Sequence, residues 1–323
     1  MIEDERWMGA AAALGERGRG RTAPNPNVGC VIVRDGIVVG RGWTQPGGRP
    51  HAEQMALDEA GEAAAGATAY VTLEPCAHIS ARGDACADAL VRARVKRVVA
   101  ALRDPYPPVD GRGFDRLRDA GIEMSIGPGA ETAAKSMAGF LNRQRLGRPY
   151  VTLKLATSLD GRIALPSGES RWITGEDARA HVHGERSRAD MILVGRSTLE
   201  TDRPTLDVRL PGLEERAPRR ALLSRGGAPA DWIALSAPDE VSRLHDVNDL
   251  LVEGGSATAT AFLAADLVDR LLLYRAPILI GEGRQWVGYV GLTSLADAHG
   301  RWRLAESRAL GIDRLEVYER VRD

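Results

Sequence analysis

The 323 residues include 43 Lys plus Arg against 44 Asp plus Glu, a formal net charge of -1, which lacks the basic excess of a dedicated nucleic-acid binder and sends any anionic ligand to a local basic site. Hydrophobic residues make up 44%, charged residues 27% and aromatics only 5%, so an interior filled by aliphatics and Ala is expected and disorder is excluded for most of the chain. The length suits two domains of about 150 residues each.

The first residues, Met1 to Arg6, are acidic where a signal peptide is basic and then apolar, and no stretch reaches the ~20 apolar residues of a membrane span. A cytoplasmic protein with neither membrane nor nucleic-acid partner is expected. A helix over about 3–16 leads into a Gly- and Pro-rich loop, 18–27. The β-rich runs 28–33 and 37–43 flank Asp35-Gly36, a hairpin turn signal because both residues tolerate positive φ. A helix over about 52–64, a strand 69–73, a helix 86–93 and a strand 95–102 continue the alternation that marks an α/β layered domain.

Residues 142–149 are rich in Arg, Gly and Pro and read as a linker. The boundary is placed at 146, giving domains 1–146 and 147–323. A strand from 150 to 156, a helix near 175–188, a strand 191–194, weaker strand signals at 221–223 and 232–235, and apolar runs at 250–253, 259–265 and 271–273 outline a second α/β unit. His181 and His183 fit no pattern and are expected on the surface of the helix.

Three cysteines are too few, and odd in number, for a disulfide framework. Cys30, inside a β run, reads as core packing. His51 at a helix start, Cys76 just past a strand and Cys86 at the next helix start form a His/Cys/Cys set that zinc accepts, with a fourth position left for water. Glu53, two residues from His51, is too near in sequence to be a convenient fourth ligand but can reach a metal-bound water and shuttle its proton. The His-x-Glu and Pro-Cys pattern marks zinc deaminases acting on nucleobase-type rings, although the second cysteine follows ten positions later here instead of three. In the second half no G-x-G-x-x-G follows a strand, so a Rossmann site is not supported. Val252-Glu253-Gly254-Gly255-Ser256 instead offers a strand-to-helix turn able to seat a pyrophosphate.

Taken together, Asn25-Pro26-Asn27-Val28-Gly29, His51-Ala52-Glu53, Tyr70 to His78, Asp104-Pro105 and Gly111-Arg112-Gly113 resemble the deaminase half of the bifunctional riboflavin-biosynthesis deaminase/reductase. Lys154 to Arg162, Ser170 to Gly175, Ala178-Arg179, Arg186, Ala189 to Gly195, Thr198 and Asp202 to Arg209 resemble its reductase half in order. The resemblance implies a cytidine-deaminase-like α/β/α domain followed by a dihydrofolate-reductase-like α/β domain. It implies a Zn2+ ion on His51, Cys76 and Cys86, with Glu53 relaying protons as water displaces the amine of a diaminopyrimidinone ribosyl phosphate. Asn25 and Asn27 would lie over ring and ribose, with His78 beside them. In the second half it implies substrate contacts from Lys154, Ser170, Arg186, Leu206, Arg209 and Glu253. NADPH would be held by Ala156, Trp172, Thr198, Asp202, Gly255 and Ser256. Arg186 and Arg209 suit a phosphate because guanidinium groups give paired hydrogen bonds to an oxyanion. A homodimer or higher homo-oligomer through the reductase domain is also expected.

Three departures from the family pattern stand out. Nine residues instead of eight separate Cys76 from Cys86, Arg203 replaces an acid in Asp-Asp-Pro, and the stretch from 209 to 250 is short. They leave two rival readings: an enzyme with only one working domain, and a non-catalytic ligand-binding relative.

Overall fold

The computed structural model describes residues 2–77 and 83–322, and the chain divides into two compact units, Met1–Gly147 and Arg148–Asp323. In the first, α1 (Ile2–Gly15) precedes β1 (Gly29–Arg34) and β2 (Ile37–Trp43). There follow α2 (Ala52–Ala60), β3 (Thr68–Val71), α3 (Cys86–Arg92), β4 (Arg97–Ala100), α4 (Arg112–Asp119), β5 (Glu123–Ile126), α5 (Ala130–Ser136) and α6 (Ala138–Leu146). The strands form one sheet in the order β2-β1-β3-β4-β5. Its β1 runs antiparallel to both neighbours, whereas β3, β4 and β5 are parallel.

The hairpin forms as its turn chemistry predicts, with Asp35 at φ 51° and Gly36 at φ 75°, the left-handed pair of a type I′ turn. Cys30 is fully buried in the core, as expected. Glycine on β2 sets the next step. A Cβ added to Gly42 would stand 2.0 Å from the Ala52 carbonyl oxygen, and one on Gly40 2.1 Å from that of Ala56. With hydrogen atoms at those two positions, α2 settles directly on the strand, and so the start of that helix is fixed in space.

The reading of 142–149 as a linker is corrected: α6 runs on through Leu146 and stops at Gly147, which takes φ 67°. Arg, Gln and Leu are good helix formers, and only the glycine and Pro149 break the helix.

The second unit contains β6 (Tyr150–Thr157), β7 (Arg162–Ala164), α7 (Glu176–Arg186), β8 (Met191–Gly195), α8 (Arg196–Asp202), β9 (Arg219–Leu223) and β10 (Ile233–Leu235). It continues with β11 (Asp249–Glu253), α9 (Ser256–Ala264), β12 (Arg270–Arg275), β13 (Arg284–Gln285), β14 (Trp302–Leu310) and β15 (Asp313–Arg320). Eight strands make one sheet in the order β10-β9-β8-β11-β6-β12-β15-β14. The pairs from β10 to β12 are parallel, and β15 adds an antiparallel edge with β14. Central strands β8 and β11 are buried at every residue, as parallel strands covered on both faces must be. No helix among the described residues is long and apolar enough to cross a membrane.

A candidate metal centre and a candidate reductive site

His51 is the residue just before α2, in extended conformation (φ -73°, ψ 163°). Its Nδ1 lies 3.2 Å from Cys86 Sγ and 3.6 Å from Cys76 Sγ, and the three donor atoms fall within 4.8 Å of one another. Tetrahedral coordination with metal–ligand bonds of about 2.0–2.3 Å gives donor separations of about 3.6 Å. The observed distances to His51 lie at or just below that length, and the His/Cys/Cys donor set is one that zinc accepts. The backbone supports the same arrangement, since Cys86 N–H donates to Cys76 Sγ at 3.3 Å and Ala87 N–H to the Cys76 carbonyl at 3.1 Å. Between the two thiols the proton is unevenly shared: hydrogen bonding from Cys86 lowers Cys76, and the same bond, with burial, raises Cys86.

Glu53, in the first turn of α2, is only 3% exposed, and burial raises its carboxyl to about 7 against the pull of His51. It lines a cavity of about 260 Å³ together with His51, Cys76, Asn25, Asp104 and Phe140. Asn27 does not line that cavity. Its amide points away, donating to the Gly15 carbonyl, the Ser136 carbonyl and Ser136 Oγ at 3.1–3.3 Å, so it ties the Pro-rich loop to α1 and α5. His78 lies outside the described residues.

Two groups inside the quoted motifs were given no role by the sequence reading. Buried Glu74 accepts the backbone N–H groups of Asp104, Gly111 and Gly113 at 2.9–3.2 Å, which caps α4 and joins the ligand strand to the loop bearing Asp104. That loop Asp104 is buried too, and desolvation raises it to about 6. The Thr-Leu-Glu-Pro-Cys run contains Glu74, but its partners lie 30 and more residues away.

In the second unit, Lys154 and Glu253 face each other in the β6–β11 register, with Lys154 Nζ 3.8 Å from Glu253 Oε2. Arg186, the last residue of α7, forks onto the same carboxylate at 2.7 and 3.0 Å and donates to the Asp207 carbonyl at 3.0 Å. Burial acts against the Glu253 charge, but Lys154 and Arg186 outweigh it and hold this carboxyl below its ordinary range. Burial lowers Lys154. Leu206 takes φ 55° and buries its side chain among Ala189, Ile192, Val194, Leu222 and Leu251, so it presents backbone rather than side chain to its surroundings. Arg209 follows on the same loop, its side chain 60% exposed.

The residues expected to hold the cofactor gather around the carboxyl ends of neighbouring parallel strands β8, β11 and β6, the end at which open α/β sheets bind ligands. Ala156 lies near the end of β6, Thr198 and Asp202 lie on α8, and Gly255 precedes Ser256 at the start of α9. Gly195 and Gly254 let both turns pack on Thr258, since a Cβ on the former would come within 2.2 Å of its Oγ1. Trp172 is 65% exposed, its ring 4.8 Å from the Arg179 guanidinium, while Arg171 donates to the Asp202 carbonyl at 2.8 Å and so ties this loop to α8. Ser170 is half-buried at the start of that loop. Arg203, in place of the family acid, takes the left-handed cap of α8 at φ 41°.

The expectation for His181 and His183 is corrected. His183 is buried at 8% exposure against the Arg209 loop, and His181 Nδ1 sits 2.7 Å from the hydroxyl of fully buried Tyr274. Two positions apart on α7, they point to different sides: His183 is buried, and His181 is partly covered between Tyr274 and Arg308.

Comparison with known proteins covers both halves. Residues 1–102 match the model for the cytidine and deoxycytidylate deaminase zinc-binding region, and residues 149–315 that for the RibD C-terminal domain. The riboflavin biosynthesis protein RibD of Escherichia coli is 41% identical over 97% of this chain and 98% of its own length, and that of Mycobacterium tuberculosis is 41% identical over 95% of each. Among solved structures, Acinetobacter baumannii RibD superposes with a TM-score of 0.89 at 38% identity, covering 99% of both chains. The Thermotoga maritima diaminohydroxyphosphoribosylaminopyrimidine deaminase/5-amino-6-(5-phosphoribosylamino)uracil reductase does so at 0.88 and 30% identity over 98% of this chain and 99% of its own. Kinship of this extent, unbroken across the two units, means that the chain belongs to the RibD family, zinc-dependent deaminase in its first half and NADPH-dependent reductase of riboflavin biosynthesis in its second.

Proposed function

We propose that the two reactions of the family run at the two clusters described above, on a pyrimidine ribosyl phosphate. The convergence of His51, Cys76 and Cys86 beside buried Glu53 is the observation that supports this most directly. A zinc ion held by those three side chains supplies Lewis acidity toward water in the cavity. Glu53 handles the protons. Its carboxylate takes the proton that water gives up as oxygen bonds to the amine-bearing ring carbon, then passes it to the departing nitrogen, so that water is consumed and ammonia released. Asn25 orients the ring, and Asn27 holds the loop from behind.

In the second unit NADPH supplies the hydride. Arg209 grips the sugar phosphate, with Ser170 and the Leu206 backbone alongside, while Arg186, forked onto Glu253, lines the substrate side of the same cluster. Lys154, kept next to Glu253, donates a proton to the ring oxygen of the sugar as its bond to C1 opens and C1 takes the hydride, so that the ribosyl group becomes ribityl. Ala156, Trp172, Thr198, Asp202, Gly255 and Ser256 seat the cofactor. Elemental analysis of protein purified without chelator, paired with separate assays of ammonia release and NADPH oxidation, tests the reading. About one zinc per chain with both activities is expected, and a zinc-replete protein silent in either assay overturns it.

We further propose that the enzyme works in the cytoplasm and pairs with a second copy through its reductase unit. There Leu279, Tyr289, Leu295 and Ile312 leave 76, 73, 82 and 77% of their surface exposed, large apolar side chains that pairing would cover. Sedimentation at a single-chain mass removes the pairing.

A further inference from the structure

We infer that His183 is a positioning residue of the reductive site: as a neutral imidazole it holds the Arg209 guanidinium and the 206–209 loop in the geometry that receives the substrate phosphate. The inference rests on the reading of Arg209 as a phosphate ligand.

His183 and Arg186 are three positions apart on α7, hence on one face of the helix, and both reach the Asp207 carbonyl, at 3.1 and 3.0 Å. On the other side of the ring, His183 Nε2 lies 3.3 Å from Arg209 Nε and Nη2, and the Arg209 backbone N–H stands 3.3 Å from Nδ1. One tautomer satisfies more of this setting. With the proton on Nδ1, the ring donates to the Asp207 carbonyl and the lone pair on Nε2 accepts from the guanidinium, at the cost of Nδ1 as an acceptor for the Arg209 backbone N–H. A proton on Nε2 would instead meet two N–H donors head-on.

This pairing is asymmetric in a useful way. An arginine held by a carboxylate has its charge largely spent, whereas one held by a neutral imidazole keeps it available for an anion. Arg209 retains 60% of its side-chain exposure and its nearest carboxylate, Asp207, stands 3.7 Å off, so its charge remains open to a phosphate monoester. The same imidazole meets the Asp207 carbonyl, next in the chain to Leu206, which takes the left-handed region at φ 55°.

Charged groups face the ring from every side. Arg186 lies on its own helix, Arg209 and Asp207 on the loop, and Glu253 on β11. Burial and the two arginines keep the imidazole below its ordinary range, which favours the neutral form that the contact needs. Protonation places a second positive charge against Arg209 and releases it.

The test uses the full-length holoenzyme and steady-state reduction of the pyrimidine ribosyl phosphate. His183→Ala is expected to raise KM for that substrate about tenfold, leaving kcat within about twofold, KM for NADPH unchanged and ammonia release unchanged. His183→Gln can donate to Asp207 and accept from Arg209 but cannot gain a charge. It is expected to restore KM and to flatten the rise in KM expected of the parent enzyme as the imidazole takes up a proton at low pH, leaving only the part due to the substrate phosphate itself. A parental KM in His183→Ala, or a low-pH rise in KM as steep in His183→Gln as in the parent, overturns the inference. Arg209→Ala run in parallel separates the two readings: if it leaves KM alone, the phosphate role of Arg209 falls and the inference with it; if it raises KM while His183→Ala does not, only the inference falls.

Discussion

Two residues after a metal ligand, a side chain can be near the ion without sharing it, and Glu53 has that geometry. It sits in the first turn of α2, buried beside the cavity, while the three donor atoms come from other residues. Glu53→Ala is therefore expected to keep its zinc and lose ammonia release by about 10²–10⁴-fold, the range that a positioned proton-transfer group contributes. NADPH oxidation on the deaminated substrate stays at the parental rate. Zinc content and the two assays on one preparation check this, and a variant releasing ammonia normally removes Glu53 from the mechanism. This part of the site was legible in the sequence because His51, Glu53 and the Pro75-Cys76 pair lie in short local motifs. Asn27 and His183 were not. An asparagine in a Pro-rich loop reads the same whether its amide faces a cavity or the Ser136 carbonyl, and the partners of His183 lie 24 and 26 residues downstream.

For whole elements, the position of the metal site depends on how closely α2 lies against β2. Gly42→Ala puts a methyl group 2.0 Å from the Ala52 carbonyl oxygen, a distance that the backbone must open. The expected cost is about 1–3 kcal/mol from overpacking, with a weakened grip on zinc because the helix start carrying His51 has to move. Chemical denaturation of the zinc-free protein and competition against a chromogenic chelator measure the two effects. Unchanged zinc affinity would mean that α2 is placed by other contacts. The same elements show what periodicity can and cannot supply. The Asp35-Gly36 hairpin and strands such as Met191–Gly195 were readable because turn chemistry or an unbroken apolar run marks them. Strand β14 was not, since six of its nine residues are exposed and the other three only partly covered, and its order comes from pairing with β15. Likewise α4 starts at a glycine whose helix-capping partner, Glu74, is remote in sequence.

Across the whole molecule, the zinc ligands and the reductive cluster belong to different compact units with separate cores, one drawn from residues 7–141 and the others from 151–317. A ligand stabilises only the unit whose folded state it binds, by an amount that grows with the logarithm of its concentration over Kd. Zinc at 1,000 times its Kd contributes about 4 kcal/mol, which in a unit of this size amounts to a shift on the order of ten degrees. Two thermal transitions are therefore expected. Chelation should lower one, together with ammonia release, while the other holds its place and NADPH oxidation persists; NADPH should raise the second alone. Differential scanning calorimetry with and without chelator, at fixed NADPH, reads both. A single transition that zinc and NADPH move equally would show that the two halves unfold as one body, and the division of stability between them would have to be abandoned even though each chemistry kept its own residues.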